Sequence, residues 1–232
     1  MASSSASILC QFVEASVHLI LYARHVYPQE IFERRRLFDV TVFRSRHVEL
    51  NDHIALVARG VRSLIERGEA DALVVSILSG DDAATEVVER FRLDFHRQAA
   101  AAGSGSSGSS GSAAELDILR AHLRGFLLKL HMCDTLLPPL PADARLTFSC
   151  ELHTHPTHAA QPLPPDLLQQ WTESQPPAGA ARAGGAQVIP LKSAALDNGL
   201  TLSLNVLTVG SGGYAATGVD QQSAGGMGDR RR

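Results

Sequence analysis

Apolar residues crowd the first part of the chain. Ile8, Phe12, Ala15, Leu19 and Tyr22 recur on one 3.6-residue stripe, and Val13, Val17, Ile20 and Leu21 fill the other faces. This predicts a helix from Ser7 to about Val26 that stops near Pro28. A helix apolar nearly all round belongs at the centre of a domain. Glu14, His18, Arg24 and His25 interrupt it, which favours a core helix over a membrane span, since a span needs about 20 apolar residues with few charges. From about Asn51 to Glu66, Ile54, Val57, Val61, Leu64 and Ile65 return at helical spacing, with Asn51 as cap and Gly68 as stop. The β-branched run Ala72 to Leu78, bounded by Gly80-Asp81-Asp82, predicts a buried strand. Glu86 to Phe95 sets Val87, Val88, Phe91, Leu93 and Phe95 among charges, the mark of a hairpin partner with one wet face.

From Ala99 to Ser112 the chain becomes an alanine run and a Gly/Ser repeat that can bury nothing, so a flexible loop is expected. Ser112-x-x-Glu115 reads as a capping box opening a third helix, with Leu116, Leu119, Leu123, Phe126, Leu127 and Leu130 on one face and Pro138 closing it. The last third is strand-rich: Arg145 to Thr154, Gln187 to Leu191, and Leu200 to Val209, where Leu200, Leu202, Leu204 and Val206 alternate with Thr201, Ser203 and Asn205. Between the first two lies a polar, Pro/Gly/Ala-rich connection from His155 to Ala186, oversized for a compact domain unless it has a function or is disordered. Helices early and in the middle with strands late give an α+β layer, not a βαβ repeat.

A length of 232 residues suits one good-sized core. The formal charge of −3 argues against direct DNA binding, which needs clustered Lys and Arg. Arg34-Arg35-Arg36 and the terminal Arg230-Arg231-Arg232 are read as solvated charge. Cys10, Cys133 and Cys150 lack any C-x-x-C spacing and read as reduced, buried thiols of an intracellular protein. No signal-peptide pattern opens the chain, and neither a membrane nor a cofactor is expected. No nucleophile elbow, recognisable pair of catalytic carboxylates or dinucleotide fingerprint is present, and Gly210 to Gly213 opens no predicted helix, so no enzyme is indicated.

The residues themselves add a resemblance. Ile8-Leu9-Cys10-Gln11-Phe12-Val13-Glu14, Val17 to Arg24 and Val26-Tyr27-Pro28 resemble the first helix of the HORMA-domain accessory subunits of the translesion polymerase zeta. Collinear matches follow at Ile31-Phe32, Glu49-Leu50-Asn51, Val74 to Leu78, Leu123-Arg124, Phe126, Lys129, Cys133-Asp134, His153-Thr154, Trp171 and Ile189-Pro190-Leu191-Lys192. The resemblance implies a HORMA domain over residues 8–209, with three main helices on a mostly antiparallel sheet and a safety-belt segment at 155–209. Residues 1–7 and 210–232 are expected to be disordered, and 99–112 to be the flexible loop.

The same resemblance implies a non-catalytic adaptor of the nucleus, with the cytoplasm left open as a second location, whose belt closes over a short partner peptide that adds a strand to the sheet. Trp171 stands where the family packs an aromatic on prolines of the polymerase zeta catalytic subunit, and His53 where relatives have a tyrosine beside that peptide. Val188, Ser203 and Asn205 match positions that bind the C-terminal domain of the Y-family scaffold polymerase, although relatives carry a larger apolar residue, an amide and an aromatic there. Arg34, Arg124 and Thr135 align with a HORMA homo- or heterodimer face. Remodelling by an AAA-type ATPase is left open. Two rivals remain: a spindle-checkpoint-type HORMA adaptor, and a zinc-dependent hydrolase built on His153, His155 and His158.

Overall fold

The computed structural model describes residues 4–80, 86–97, 112–140, 144–154, 171, 186–196 and 199–209. The central helix, α1 (Ser5–Ala23), starts two residues before the expected Ser7, because the Ser4 hydroxyl accepts the Ser7 N–H at 3.2 Å and caps the first turn. It also ends before Val26: Arg24 is its C-cap, and the chain turns through His25 at a left-handed φ of 52°. Ile8, Phe12, Val17, Leu19 and Leu21 are sealed from solvent, so the all-round apolarity of α1 is spent in the core. It is long and apolar enough to cross a membrane, yet most of it is buried inside the fold.

A hairpin not anticipated from the sequence follows a 3-10 turn at Gln29–Ile31. Its strands, β1 (Phe32–Leu37) and β2 (Val40–Ser45), are joined by Phe38 and Asp39, both at positive φ as a tight two-residue turn requires. Arg34, Arg35 and Arg36 are exposed on β1, as solvated charge. Next comes α2 (Val48–Arg67), which buries Ile54, Val57, Val61, Leu64 and Ile65 as predicted and stops at Gly68 in the left-handed conformation. Asn51 does not cap it. The cap position is His47, whose N–H is held by the Ser45 hydroxyl at 2.9 Å, and Asn51 lies a turn inside.

The main sheet is antiparallel throughout, in the order β5-β3-β4-β7-β6. Its strands are β3 (Ala70–Ser79), β4 (Glu86–Arg97), β5 (Leu146–Thr154), β6 (Ala186–Ala195) and β7 (Leu200–Val209). The β3–β4 hairpin forms as expected, but β4 has no cleanly wet face: Glu89 is 1% exposed beside Phe91, Leu93 and Phe95, and Asp94 on the opposite face is 6% exposed. β6 runs past the expected Leu191 because an irregularity between Pro190 and Lys192 lets pairing resume beyond the proline.

The capping box of α3 (Ala113–His131) is complete, with Glu115 N–H on the Ser112 hydroxyl and Ser112 N–H on the Glu115 carboxylate. The helix ends earlier than Pro138, and a short α4 (Cys133–Leu136) fills the interval. The helices α1 and α3 cover one face of the sheet, where Phe12 meets Phe126 edge-on at 5.9 Å and Leu202, Leu204 and Val206 of β7 are buried. These layers are the expected α+β architecture. Residues 99–111 and 210–232, and all of the 155–185 connection except Trp171, lie outside the described residues.

Candidate functional site

The sheet order leaves two outer edges, β5 and β6, of which β6 carries Pro190 and β5 has no proline. β3 holds β5 on one side and β4 on the other, and the β6–β7 hairpin pairs with β4, so among the described residues no strand covers the outer edge of β5. A bare edge is a row of backbone donors and acceptors ready for another chain. Phe148, Cys150 and Leu152 of β5 lie opposite Ile77, Val75 and Leu73 and are half-buried towards α2. His53 of α2 meets the Phe148 ring edge-on at 5.6 Å, and Tyr27 meets the same ring at 6.3 Å. Trp171 is half-buried against the core on this flank: a methyl built on Gly60 of α2 would lie 2.9 Å from Leu152 Cδ1 and 3.4 Å from Trp171 Nε1. The indole N–H is buried without a hydrogen-bond acceptor among the described residues. His53 and Trp171 thus both lie on the α2 flank of the β5 strand.

A second face lies at the far end of the sheet. Val188 is 57% exposed and sits opposite Leu207, while Ser203 and Asn205 share that outer side. Both polar side chains donate to one oxygen of Asp94 on β4, at 3.4 and 3.3 Å, and Arg92 Nε donates to the other oxygen at 2.6 Å. Sequence reasoning passed over Asp94, because nothing in its local pattern distinguishes it from the charges around it.

The third group is partly assembled. Arg124 and Thr135 are exposed on α3 and α4, beside exposed Leu128, Met132 and Leu136 at a four-residue spacing. Arg34 projects from β1 directly opposite Phe43, whose ring stacks on Tyr22 and lies 5.9 Å from His131 of α3.

The most concentrated buried polar chemistry is elsewhere. The Arg24 side chain is 1% exposed; its Nε and one terminal nitrogen grip both oxygens of Glu89 at 2.9 and 2.7 Å, the other meets Asp134 at 2.8 Å, and the Pro138 carbonyl completes the set. Burial pushes the Glu89 carboxyl up, opposed by its bonds to Arg24. Nearby Cys133 is pushed to about 12 by burial, and Cys150 likewise to about 12, so neither thiol ionises at neutral pH. All three cysteines are free, as expected, although Cys10 and Cys150 are half-buried instead of buried. His18, sealed in α1, is lowered to about 4 by burial and by Arg44.

For the zinc alternative, the His153 ring meets the Glu151 carboxylate at 3.4 Å, and among the described residues no group of three His, Cys, Asp or Glu side chains could hold a metal. His155 and His158 lie outside the described residues.

The sequence matches the HORMA domain over residues 5–163, and the chain belongs to the HORMA-domain family. It is similar to the "Mitotic spindle assembly checkpoint protein MAD2B" of Danio rerio, 36% identical over 149 residues that cover 64% of this chain and 65% of that protein. The "DNA polymerase zeta processivity subunit" of Arabidopsis thaliana is 33% identical over 64% of this chain and 63% of its own length. The "DNA polymerase zeta subunit 2" of Drosophila melanogaster is 27% identical over 90% of this chain and 98% of its own length. The chain thus spans about two thirds of the first two relatives, and the two polymerase zeta names uphold the resemblance to polymerase zeta HORMA subunits. In fold it is similar to a chain of the mitotic checkpoint complex crystal structure (TM-score 0.68, 18% identical, covering 88% of this chain and 98% of that one). It is also similar to C. elegans HTP-2 bound to a HIM-3 closure motif (TM-score 0.63, 14% identical, 88% and 90%).

Proposed function

We propose that this HORMA adaptor is a non-catalytic component of translesion DNA synthesis, which clasps a Pro-containing peptide of the polymerase zeta catalytic subunit along β5. The supporting observation is the open β5 edge with His53 and Trp171 on its flank. Backbone pairing to β5 supplies the grip, and the Trp171 face supplies a rigid apolar platform for prolines. Chain length fits a belt: from β5 to β6 is four strand spacings, about 19 Å, which about six extended residues could cross. The 155–185 connection is several times longer than that, enough to pass over a guest strand.

In this reading Val188, Ser203 and Asn205 receive the C-terminal domain of the Y-family scaffold polymerase, and Arg34, Arg124 and Thr135 meet a second HORMA domain. An AAA-type ATPase would reopen the belt, and the protein works in the nucleus. Trp171→Ala is expected to weaken the catalytic-subunit peptide by about 2 kcal/mol or more, roughly 30-fold, in a calorimetric titration. An unchanged affinity would reject the role of the indole. The checkpoint names carried by MAD2B and yeast MAD2 support a second reading, a spindle-checkpoint adaptor. A pull-down that recovers checkpoint peptides and leaves polymerase zeta peptides behind would select it.

A further inference from the structure

We propose that Asp94 is a positioning residue that fixes the hydrogen-bond polarity of the β6–β7 outer face. That face therefore takes a partner surface carrying hydrogen-bond donors around an apolar side chain. The inference rests on the reading of Val188, Ser203 and Asn205 as the seat of the partner polymerase domain.

An ionised carboxylate only accepts hydrogen bonds. One Asp94 oxygen is taken by Arg92 Nε, and Arg92 is held from the other side by Asp71 at 3.7 Å. The second oxygen takes the Ser203 hydroxyl and the Asn205 amide. Asp94 stands directly opposite Ser203 in the strand register, and its side chain is 8% exposed, so water competes weakly for it. An amide beside a carboxylate must turn its NH2 inward, because two facing oxygens repel, and Asn205 Oδ1 consequently points away from Asp94. Ser203 commits its single hydroxyl proton in the same direction and leaves lone pairs free.

Both side chains are half-buried and still reach the surface. Next to them, exposed Val188 and Pro190 and half-buried Leu207 form an apolar lane, with Pro190 paired to Asn205 and lacking an N–H of its own. The patch thus offers acceptors beside apolar surface. A partner group that presents an acceptor to Ser203 or Asn205 would meet oxygen with oxygen, whereas an Arg, Lys, amide or backbone N–H group at those two positions would be satisfied.

The test is titration of the full chain with the purified C-terminal domain of the organism's own Y-family scaffold polymerase, with the catalytic-subunit peptide as a parallel ligand. Asp94→Asn removes the fixed acceptor and frees Asn205 to flip, so domain binding is expected to weaken about fivefold or more while peptide binding stays within about twofold. The double variant D94N/N205D restores the cross-strand bond, since the new amide at position 94 donates to the new carboxylate at position 205, whose second oxygen still faces out. Domain binding should then recover to within about twofold of the natural chain. Retained domain binding in D94N, no recovery in the double variant, or an equal loss for domain and peptide would each overturn the proposal. If the natural chain does not bind the domain at all, the reading of this face fails and the proposal falls with it, whereas peptide clasping at β5 is unaffected.

Discussion

At the scale of single residues, Arg24 carries the heaviest obligation. A guanidinium 1% exposed must have its donors satisfied, and it does so through Glu89, Asp134 and Pro138, which ties the end of α1 to β4 and to the α4 corner. Glu89 is 2% exposed at its side chain, so each charge depends on the other for solvation. Arg24→Met is expected to cost about 3–5 kcal/mol in urea unfolding because it strands a buried carboxylate, and R24M/E89M to recover much of that loss. A single variant within about 1 kcal/mol of the natural protein would show that the pair is not what holds this corner. In the sequence Arg24 is visible only as an interruption of an apolar helix. Its partner lies 65 positions away on a strand whose alternation does not announce a buried acid, so the pairing is not legible there.

At the scale of elements, periodicity carries far because burial enforces it: the three long helices, the β3–β4 hairpin and the α3 capping box all follow from local pattern. The misplacements are local too. Asn51 is a good capping residue in the wrong turn, since the helix extends three residues further back to Val48 under a different cap. The β1–β2 hairpin is hidden because its outward positions are arginines and its turn uses Phe38 and Asp39 instead of a glycine pair. Two glycines inside helices pose a sharper question, since Gly in a helix interior costs about 1 kcal/mol relative to Ala. Each faces the C-terminal half of the chain: Gly60 faces Leu152 and Trp171, and Gly125 of α3 faces the Lys192 stem, whose Cε would lie 2.7 Å from an added methyl. Lys192 can swing its flexible end aside, although its ammonium sits 5.4 Å over the Phe126 ring, whereas Leu152 and Trp171 are packed against the core. Opposite signs are expected from denaturant midpoints: Gly125→Ala stabilises by up to about 1 kcal/mol, and Gly60→Ala destabilises by about 1–2 kcal/mol once overpacking outweighs helix propensity. Equal shifts for both would mean that the contacts at Gly60 relax freely.

For the whole molecule, the deciding feature is which edge of the β3–β4–β5 unit the C-terminal hairpin occupies. Alternation in β7 requires that Leu202, Leu204 and Val206 face the helices, and pairing beside either β4 or β5 would satisfy it, so the choice is not contained in the pattern. The structure places β7 on β4 and, among the described residues, leaves the outer edge of β5 without a strand, with α2 and Trp171 on its flank. A guest strand on β5 would extend the sheet to six strands and give every outward amide of Leu146 to Thr154 a partner. Hydrogen exchange can read this directly: without peptide, the β5 amides that point away from β3 should exchange quickly while those bonded to β3 are protected. With peptide at about 100 times its Kd, the outward amides should slow and the whole domain should gain about 2.7 kcal/mol. The outer edge of β6, interrupted by Pro190, should not change. Protection that appears along β6 or α3 while β5 stays exposed would place the ligand at the other end of the sheet, and the belt would then have to close over something other than β5.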